Sequence, residues 1–438
     1  MDECARNYRS YQVVVVGAGP AGLSAAEAAA AQGCSVLLLD AQPAAGGQVW
    51  RHDAVSGVPA RSRALQSRLD ALGVSRLQQS EVVGAFGRQL LVRSGQGSLD
   101  VGFESLVIAT GARELLLPFP GWTLPGVTGA GGAQALVKQG WPVRGKRVLV
   151  AGSGPLLLAS AERLQRHGAR VLGIHEQLGR AALASFAAGL WRWPGKLVQA
   201  AQLRGRLRAV PYQADSHIVR AHGNEQLEAV EIRQGGRTFT IECDMLACGF
   251  GLVPNVELAH GLGCELDENK VHPVVRVDAY QRTSIEDIYA AGEACGIGGV
   301  DSARVEGRIA GLAAAGVSER ARRLFRVRAR ARRFGAHLER HFVLRDELRA
   351  LADDDTIVCR CEDVTMGALN RCQSVREMRL MTRCGMGPCQ GRICGTVIAE
   401  LRHLPRTGLR FPAFPVPLAV LAGSFPKGPV AIFSGVLK

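Results

Sequence analysis

Aromatic residues make up only 5% of this 438-residue chain, and only six of its 53 basic residues are lysine. No apolar run approaches the roughly 18 residues that a transmembrane helix needs. Each scarcity excludes something. Without such a run, nothing in the sequence is expected to span a bilayer. The opening residues, MDECARNYRSY, are polar, so no cleavable apolar signal precedes the first apolar strand and the cytoplasm is the expected compartment. Without a secretory signal, the 12 cysteines point to metal or redox use rather than to disulfides. A net charge of +14 invites a nucleic-acid reading. The arginines are dispersed apart from one run, few aromatics interleave with that run, and no nucleic-acid module is present. Nucleic acid is therefore not an expected partner, and the charge fits an acidic partner or a membrane surface better.

What is present begins with Gln12–Gln48, QVVVVGAGPAGLSAAEAAAAQGCSVLLLDAQPAAGGQ. A buried apolar run stops at Gly17-Ala18-Gly19-Pro20-Ala21-Gly22, an Ala-rich helix follows to about Gly33, and a second apolar run closes on Asp40. In a dinucleotide site Gly17 permits the tight turn, Gly19 lets backbone approach a pyrophosphate, and Gly22 lets helix pack on strand. The helix N-terminus offers free N–H groups to phosphate, and Asp40 can accept from a ribose diol. Strand, turn, helix, strand and acid in that order predict dinucleotide binding. Gly46-Gly47-Gln48 follows, then a helix near Ser62–Leu72 and a meander at Glu81–Phe86, Leu90–Ser94 and Asp100–Phe103. A strand ending in Ala109-Thr110-Gly111 brings bare backbone near a bound nucleotide. The prolines and glycines from Pro118 to Gly126 read as a linker.

The plan then repeats. Arg147–Ala151 is a strand, Gly152-Ser153-Gly154-Pro155 a turn, Leu156–His167 a helix, and Arg170–Ile174 a strand ending at His175-Glu176. A polar meander leads to Ala247-Cys248-Gly249. The offset from Gly17 to Gly152 nearly equals that from Ala109 to Ala247, so one nucleotide-binding unit is inserted in another. The second turn has Leu157 where the pattern wants glycine. Gly152, Gly154 and Glu176 thus leave two readings open: NAD(P) binding, or a unit kept for shape, for another nucleotide or for subunit contact.

Beyond Pro254 the chain returns to the first unit. Gln281–Glu293 is a turn, a strand and an acid, followed by a Gly/Ala-rich helix over Glu306–Ala315. This combination resembles the second FAD signature of two-dinucleotide-domain flavoproteins of the thioredoxin-reductase/glutathione-reductase superfamily. The resemblance implies that Gly292 and Glu293 meet the ribityl or pyrophosphate oxygens, although the usual residue at Glu293 is Asp. It also makes one absence informative. Those reductases carry a redox cysteine pair, whereas AAGGQVW stands after the first turn here, and Cys243 and Cys248 lack Cys-x-x-Cys spacing. Dithiol exchange is not expected. The stretch Ser318–Leu351 is charged and helical, with eight arginines between Arg320 and Arg333. It reads as a solvated connecting pair of helices in preference to a docking surface.

Half the cysteines lie between Cys359 and Cys394. Cys359-x-Cys361 opens the cluster and Cys389-x4-Cys394 ends it, with short helices expected at Val364–Asn370 and Val375–Leu380. Four thiolates on two turns can hold a [2Fe–2S] cluster, with a structural zinc as the alternative. Cys384-x4-Cys389 has the same spacing and competes for the second pair. Cys372 reads as a buried helix thiol. The segment resembles the bacterioferritin-associated-ferredoxin-like (BFD-like) [2Fe–2S] module. Through GMGPCQGRIC it resembles the version fused to large flavoprotein subunits of opine oxidases, hydrogen cyanide synthase and hydroxyproline or proline dehydrogenases. Carried over by position, the motif makes Cys359, Cys361, Cys389 and Cys394 the ligands. The six prolines from Pro405 to Pro429 bar a helix in the tail, and its apolar residues are expected to lie along the protein's own domains or a partner.

The expected architecture is α/β, with two nested Rossmann-like dinucleotide-binding domains followed by a small helical BFD-like [2Fe–2S] domain. Its boundaries are 10–125 (FAD-binding, first part), 126–254 (inserted NAD(P)-binding-like), 255–317 (FAD-binding, second part), 318–352 (basic linker), 353–400 ([2Fe–2S]) and 401–438 (tail). The resemblance implies an electron-transfer subunit of a multi-subunit amino-acid or imino-acid dehydrogenase. A D-amino-acid-oxidase-like flavoprotein subunit would take the hydride, with a small ferredoxin-like subunit as a further partner and a respiratory quinone as one acceptor. The alternative is a self-contained NAD(P)H-dependent reductase.

Overall fold

The computed structural model describes residues 8–95, 97–404, 411–412 and 414–422. Its first unit comprises β1 (Tyr8–Val16), α1 (Pro20–Ala30), β2 (Val36–Leu39), α2 (Ala60–Ala71), β3 (Ser75–Leu77), β4 (Glu81–Phe86), β5 (Gln89–Ser94) and β6 (Gly97–Ile108). A crossing strand, β7 (Ala112–Glu114), leads to the second unit. That unit runs β8 (Val127–Gly129), α3 (Ala130–Lys138), β9 (Arg147–Gly152), α4 (Leu156–Arg166), β10 (Arg170–Glu176), α5 (Arg180–Gly189), α6 (Pro194–Arg206) and β11 (Tyr212–Ala214). It continues through β12 (Ser216–His222), β13 (Ala229–Gln234), β14 (Arg237–Glu242) and β15 (Met245–Gly249). The chain returns by β16 (Leu252–Pro254), which pairs antiparallel with β7. Next come α7 (Glu257–Gly261), β17 (Leu266–Asp267), β18 (Val274–Val275), β19 (Ile288–Ala290) and α8 (Gly299–Ala314).

The first sheet is ordered β3-β2-β1-β6-β5-β4, with β19 also on β6. The apolar runs of β1 and β2 are buried on both faces, as parallel strands under helices must be. The meander strand expected at Asp100–Phe103 and the strand ending in Ala-Thr-Gly are one element. β6 pairs antiparallel with β5 over Gly97–Gly102, and parallel with β1 from Asp100 to Ile108. Its last residues, Leu106–Ile108, also receive β19. The second sheet, β11-β10-β9-β15-β8, is parallel and repeats the plan.

Helix α8 lies on α1 at backbone contact. A Cβ on Gly307 would strike the carbonyl of Ala21, and one on Gly311 that of Ala25, one helical turn further on. Two helices approach this closely only where both present small residues. The helix that completes the first unit is therefore seated against the helix that starts it.

The linker holds α9 (Ser318–Arg322), α10 (Phe325–His341) and α11 (Asp346–Arg349). The cysteine-rich module has β20 (Ile357–Cys359), β21 (Val364–Thr365), α12 (Met366–Asn370), α13 (Val375–Thr382) and α14 (Cys394–Arg402). Val364 and Thr365 pair with β20, and the helix expected from Val364 starts only at Met366, where the Thr365 side chain accepts from Ala368 N–H. The tail corrects one expectation, because Leu418–Ala422 is a short helix, α15. No proline falls between Pro417 and Pro426, and that gap admits one turn. Val416, Val420 and Leu421 pack on Val83 and Leu91, so the described tail does lie along its own first unit. Pro405, Pro426 and Pro429 are outside the described residues.

Gly307→Ala is expected to lower stability by about 1–3 kcal/mol, because the added methyl meets backbone that cannot swing aside. Denaturant midpoints measure this against Gly195→Ala in α6, where a Cβ meets nothing within 4 Å and stability should hold or rise.

Candidate functional site

The residues singled out in the first unit converge at the carboxyl ends of β1, β2, β6 and β19. Gly17 sits at φ 107°, and a Cβ there would collide with the Ala109 carbonyl oxygen. The turn and the Ala-Thr-Gly end of β6 are thus in backbone contact. Gly46 N–H donates to Ala18 O at 2.8 Å, which brings Gly47 over Gly19; a Cβ on Gly47 would lie 2.9 Å from the Gly19 Cα. Bare backbone from two loops therefore faces across a slot at the start of α1, with Pro20 in its first turn. Gln48 follows and accepts from the Arg51 guanidinium at 3.0 Å. Asp40 accepts from Ala18 N–H (2.5 Å) and Gln42 N–H (2.7 Å), and burial raises its pKa.

On the opposite side Gly292 touches the Ala21 methyl, so the Gly292-Glu293 turn stands at the same helix end. Burial, then the neighbouring Glu306 carboxylate, raises the pKa of Glu293. Glu306 is a residue that sequence reasoning missed. It accepts from Gly292 N–H (3.0 Å), Ser302 Oγ (3.0 Å) and the guanidinium of Arg332 (2.7 Å), tying the linker helix α10 to this turn.

The second unit has the same skeleton and a different content. Glu176 is fully buried; it accepts from Gly154 N–H (2.7 Å) and Leu178 N–H (3.0 Å), and desolvation raises its pKa to about 7. Leu157, at the missing glycine position, is fully buried between α4 and β15. The approach to the turn is covered by the chain itself. The ring of Phe342 is the neighbour that a Gly154 Cβ would meet, at 3.8 Å. Gln177 Nε2 donates to Ser153 Oγ (3.0 Å) and Val343 O (2.8 Å), while Gln177 Oε1 accepts from Arg345 N–H (3.1 Å). Arg345 pairs with Asp215 at 2.6 Å. Residues 342–345, between α10 and α11, thus lie against the second glycine turn. Neither Phe342 nor Gln177 carries a motif that could have revealed this. At the start of α3, the Gly131 and Gly132 N–H groups donate to Glu114 (2.5 and 2.8 Å).

In the cysteine-rich module the thiols of Cys359, Cys384 and Cys394 lie within 4.8 Å of one another, all buried. Cys389 shares hydrogen bonds with Cys394 and with the exposed Cys361, and its pKa falls to about 4, chiefly through Cys394. The four positions carried over by motif therefore gather in one patch, and Cys384 is a fifth thiol inside it. Cys372 is buried at the end of α12, its thiol directed to Ala368 O. An all-thiol patch, part buried and part open, suits a soft metal centre.

The module sits on the seam between the two units. Trp122 Nε1 donates to Ile357 O (2.6 Å), and Arg349 and His272 both pair with Glu400. Arg113, two residues past Gly111, donates to Arg392 O (3.2 Å) in the cysteine loop, to Asn255 Oδ1 (2.5 Å), and pairs with Glu257 (2.9 Å). Asn255 in turn exchanges hydrogen bonds with Thr110 (2.7 and 2.9 Å). One short chain of contacts thus joins the flavin-type cleft to the thiol loop. A cavity of about 360 Å³ opens there, beside Cys389, between Arg93, Arg113, Arg392 and Phe414.

The family model for pyridine nucleotide-disulphide oxidoreductases matches residues 11–310. The chain belongs to that family. It is an oxidoreductase and a flavoprotein of the Rossmann class, and membership implies FAD. The hydrogen cyanide synthase subunit HcnB of Pseudomonas aeruginosa is 32% identical over 93% of this chain and 97% of its own length. An opine oxidase subunit of Rhizobium meliloti is 31% identical over 94% of this chain and 87% of its own. Among solved structures, L-proline dehydrogenase from P. horikoshii shares the fold at TM-score 0.67 and 20% identity, over 96% of this chain and 81% of that one. Thioredoxin reductase from T. acidophilum matches at 0.55 and 24% identity, over 71% and 99%. The first match extends over almost the whole chain. No described helix is long and apolar enough to cross a membrane.

A carboxyl whose folded pKa is raised holds more protons folded than unfolded between its two values, so stability falls as pH rises through that window. For Glu176 the window runs from 4.5 to about 7. Thermal melts should show the wild type losing on the order of 2–3 kcal/mol relative to Glu176→Gln between pH 5 and pH 8.

Proposed function

We propose that this chain is the FAD- and [2Fe–2S]-containing electron-transfer subunit of a hetero-oligomeric amino-acid or imino-acid dehydrogenase. The observation that carries the reading is the extent of the similarity. Two relatives named as enzyme subunits align with over nine-tenths of the chain, cysteine-rich module included. Opines, hydroxyproline, proline and glycine are the substrate class, oxidised at the C–N bond by a D-amino-acid-oxidase-like partner subunit. A small ferredoxin-like subunit is a further partner, and a respiratory quinone at the inner face of the membrane is the acceptor.

The residues fit the groups. Gly19, Ala21 and Gly22 present backbone N–H groups to the FAD pyrophosphate, Gly17 and Pro20 shape the turn that aims them, Asp40 holds the adenosine ribose, and Gly47 and Gln48 close the slot. Ala109, Thr110 and Gly111 bring backbone with small side chains to the cleft, and Glu293 with Gly292 receives the ribityl or pyrophosphate end. Cys359, Cys361, Cys389 and Cys394 are the cluster ligands, with Cys384 the competing thiol. FAD supplies two-electron chemistry and the cluster supplies one-electron transfer. The chain's own contribution is placement. Arg113 fixes the cysteine loop against the Thr110–Asn255 junction, and Glu306 with Arg332 holds the Gly292 turn. Iron–sulfur is favoured over zinc because zinc has no redox chemistry to offer a flavoprotein lacking a dithiol.

The self-contained NAD(P)H reductase is the weaker reading, because Phe342–Arg345 covers the second glycine turn. NADH or NADPH is expected to leave the oxidised flavin spectrum unchanged under anaerobic conditions. Rapid, saturable bleaching would favour the reductase instead.

The deciding experiment is co-expression with neighbouring subunits, followed by dye reduction across amino and imino acids. Turnover should appear only with the complex, and purified protein should carry flavin, iron and acid-labile sulfide. Protein without flavin, or with zinc in place of iron, would remove the proposal. Cys359→Ser, Cys394→Ser and Cys389→Ser should each lose iron and dye reduction while FAD stays bound, whereas Cys372→Ser and Cys384→Ser keep both. Loss in Cys384→Ser with retention in Cys394→Ser would move the ligand set to the earlier pair, Cys384 and Cys389.

A further inference from the structure

Between β10 and β11 the second unit carries a surface that electron relay does not use. From Arg180 to Arg208 the chain contains six cations and no acidic residue. The same holds from Arg320 to Leu338 in the linker, which has eight arginines. These stretches, far apart in sequence, pack side by side. Trp193 meets Phe334 edge to face at 5.4 Å, its Nε1 donates to Arg330 O (3.3 Å), and the Arg330 guanidinium donates to Arg192 O (3.3 Å). Trp193 is thereby turned inward, while Trp191 is 69% exposed with the Arg192 guanidinium 5.6 Å from its ring centre. One turn on, Leu197 and Val198 are 44% and 54% exposed, and α6 has no buried residue. Arg326, Arg330 and Arg333 form one stripe of α10 next to this ridge. Together with Arg192 they meet no carboxylate among the described residues.

We propose that this face docks on an anionic lipid bilayer. Three features select a membrane over a protein surface. Arginines and apolar side chains are interleaved along Phe325–Arg333 and cations flank the exposed Trp191, Leu197 and Val198, the mixture of charge and apolar surface that lies in a lipid interface. An exposed indole flanked by aliphatic side chains matches the headgroup layer, where tryptophan concentrates. Two basic segments without any acid match the negative potential of anionic lipid. The segment lies flat on the surface and does not span it, consistent with the lack of a long apolar helix among the described residues. This inference stands on the surface alone and does not need the relay reading.

The test uses the full-length, flavin-loaded chain with sonicated vesicles of phosphatidylcholine alone or with one-third phosphatidylglycerol. Sedimentation should recover the protein with the anionic vesicles at least about tenfold more tightly than with the neutral ones, and about 0.5 M salt should release it. Tryptophan emission should shift to the blue on binding in the wild type and not in Trp191→Phe. Leu197→Ser with Val198→Ser should weaken binding about fivefold or more, at an unchanged melting temperature. Arg326→Glu with Arg333→Glu provides a second, purely electrostatic variant and should do the same. Equal recovery with both vesicle types, no recovery with either, or unchanged binding by both double variants would overturn the proposal. So would protection of Trp191 by a co-expressed partner subunit in hydrogen exchange, which would assign the face to protein.

Discussion

The structure depends on one constraint: around the start of α1, backbone touches backbone with no room for a side chain. Gly17 rests on the Ala109 carbonyl, and Gly307 and Gly311 rest on the carbonyls of Ala21 and Ala25. Gly22 leaves no space for a Cβ beside Gly17 O. These contacts draw β1, β6, α1 and α8 to one point. Because the glycines contribute no side-chain atoms there, the N–H groups of the α1 terminus stay open toward the slot between Gly19 and Gly47. Close packing and ligand access are usually in competition. Here both follow from the missing side chains.

The second unit reuses the plan to another end. In each unit an acid at the end of the second strand reaches back to the glycine turn, Asp40 to Ala18 N–H and Glu176 to Gly154 N–H. The environments then diverge. Asp40 remains partly open, whereas Glu176 is sealed beneath Gln177 and the strap of residues 342–345. The strap continues into Leu344 and Leu348, which join the core that also receives Ile393 and Leu401 from the cysteine-rich module. The unit that would bind a nicotinamide nucleotide serves as the mount for the thiol module.

Much of this was legible in the sequence, for identifiable physical reasons. The first unit could be read because its determinants are local: Gly17 to Asp40 lie within one βαβ segment, and each residue type has one job. The repeat could be read because Gly152 and Glu176 keep the spacing of Gly17 and Asp40. The strap could not, since Phe342 reaches Gly154 across nearly 190 residues and a phenylalanine near a helix end has many uses. Separations of 142 residues or more likewise hid Arg113 and Asn255, which act by contact between remote loops. Spacing alone could not rank Cys384 against Cys394, because each stands five residues from Cys389 and folding brings all five thiols together. The tail helix escapes a count of prolines, because what permits it is the gap between two of them.

The pairing of β19 and α8 with the opening strands sets an order on synthesis. Tyr8 to Ile108 leaves the ribosome as a sheet without β19 and with α1 uncovered, and stays so while the 180 residues to Ile288 are made. The inserted unit's sheet emerges in that interval and can form then, although Leu344 and Leu348 join its core only later. The first unit receives β19 and α8 only after the inserted unit has been made, and until then the flank of α1 on which Gly307 and Gly311 seat is uncovered.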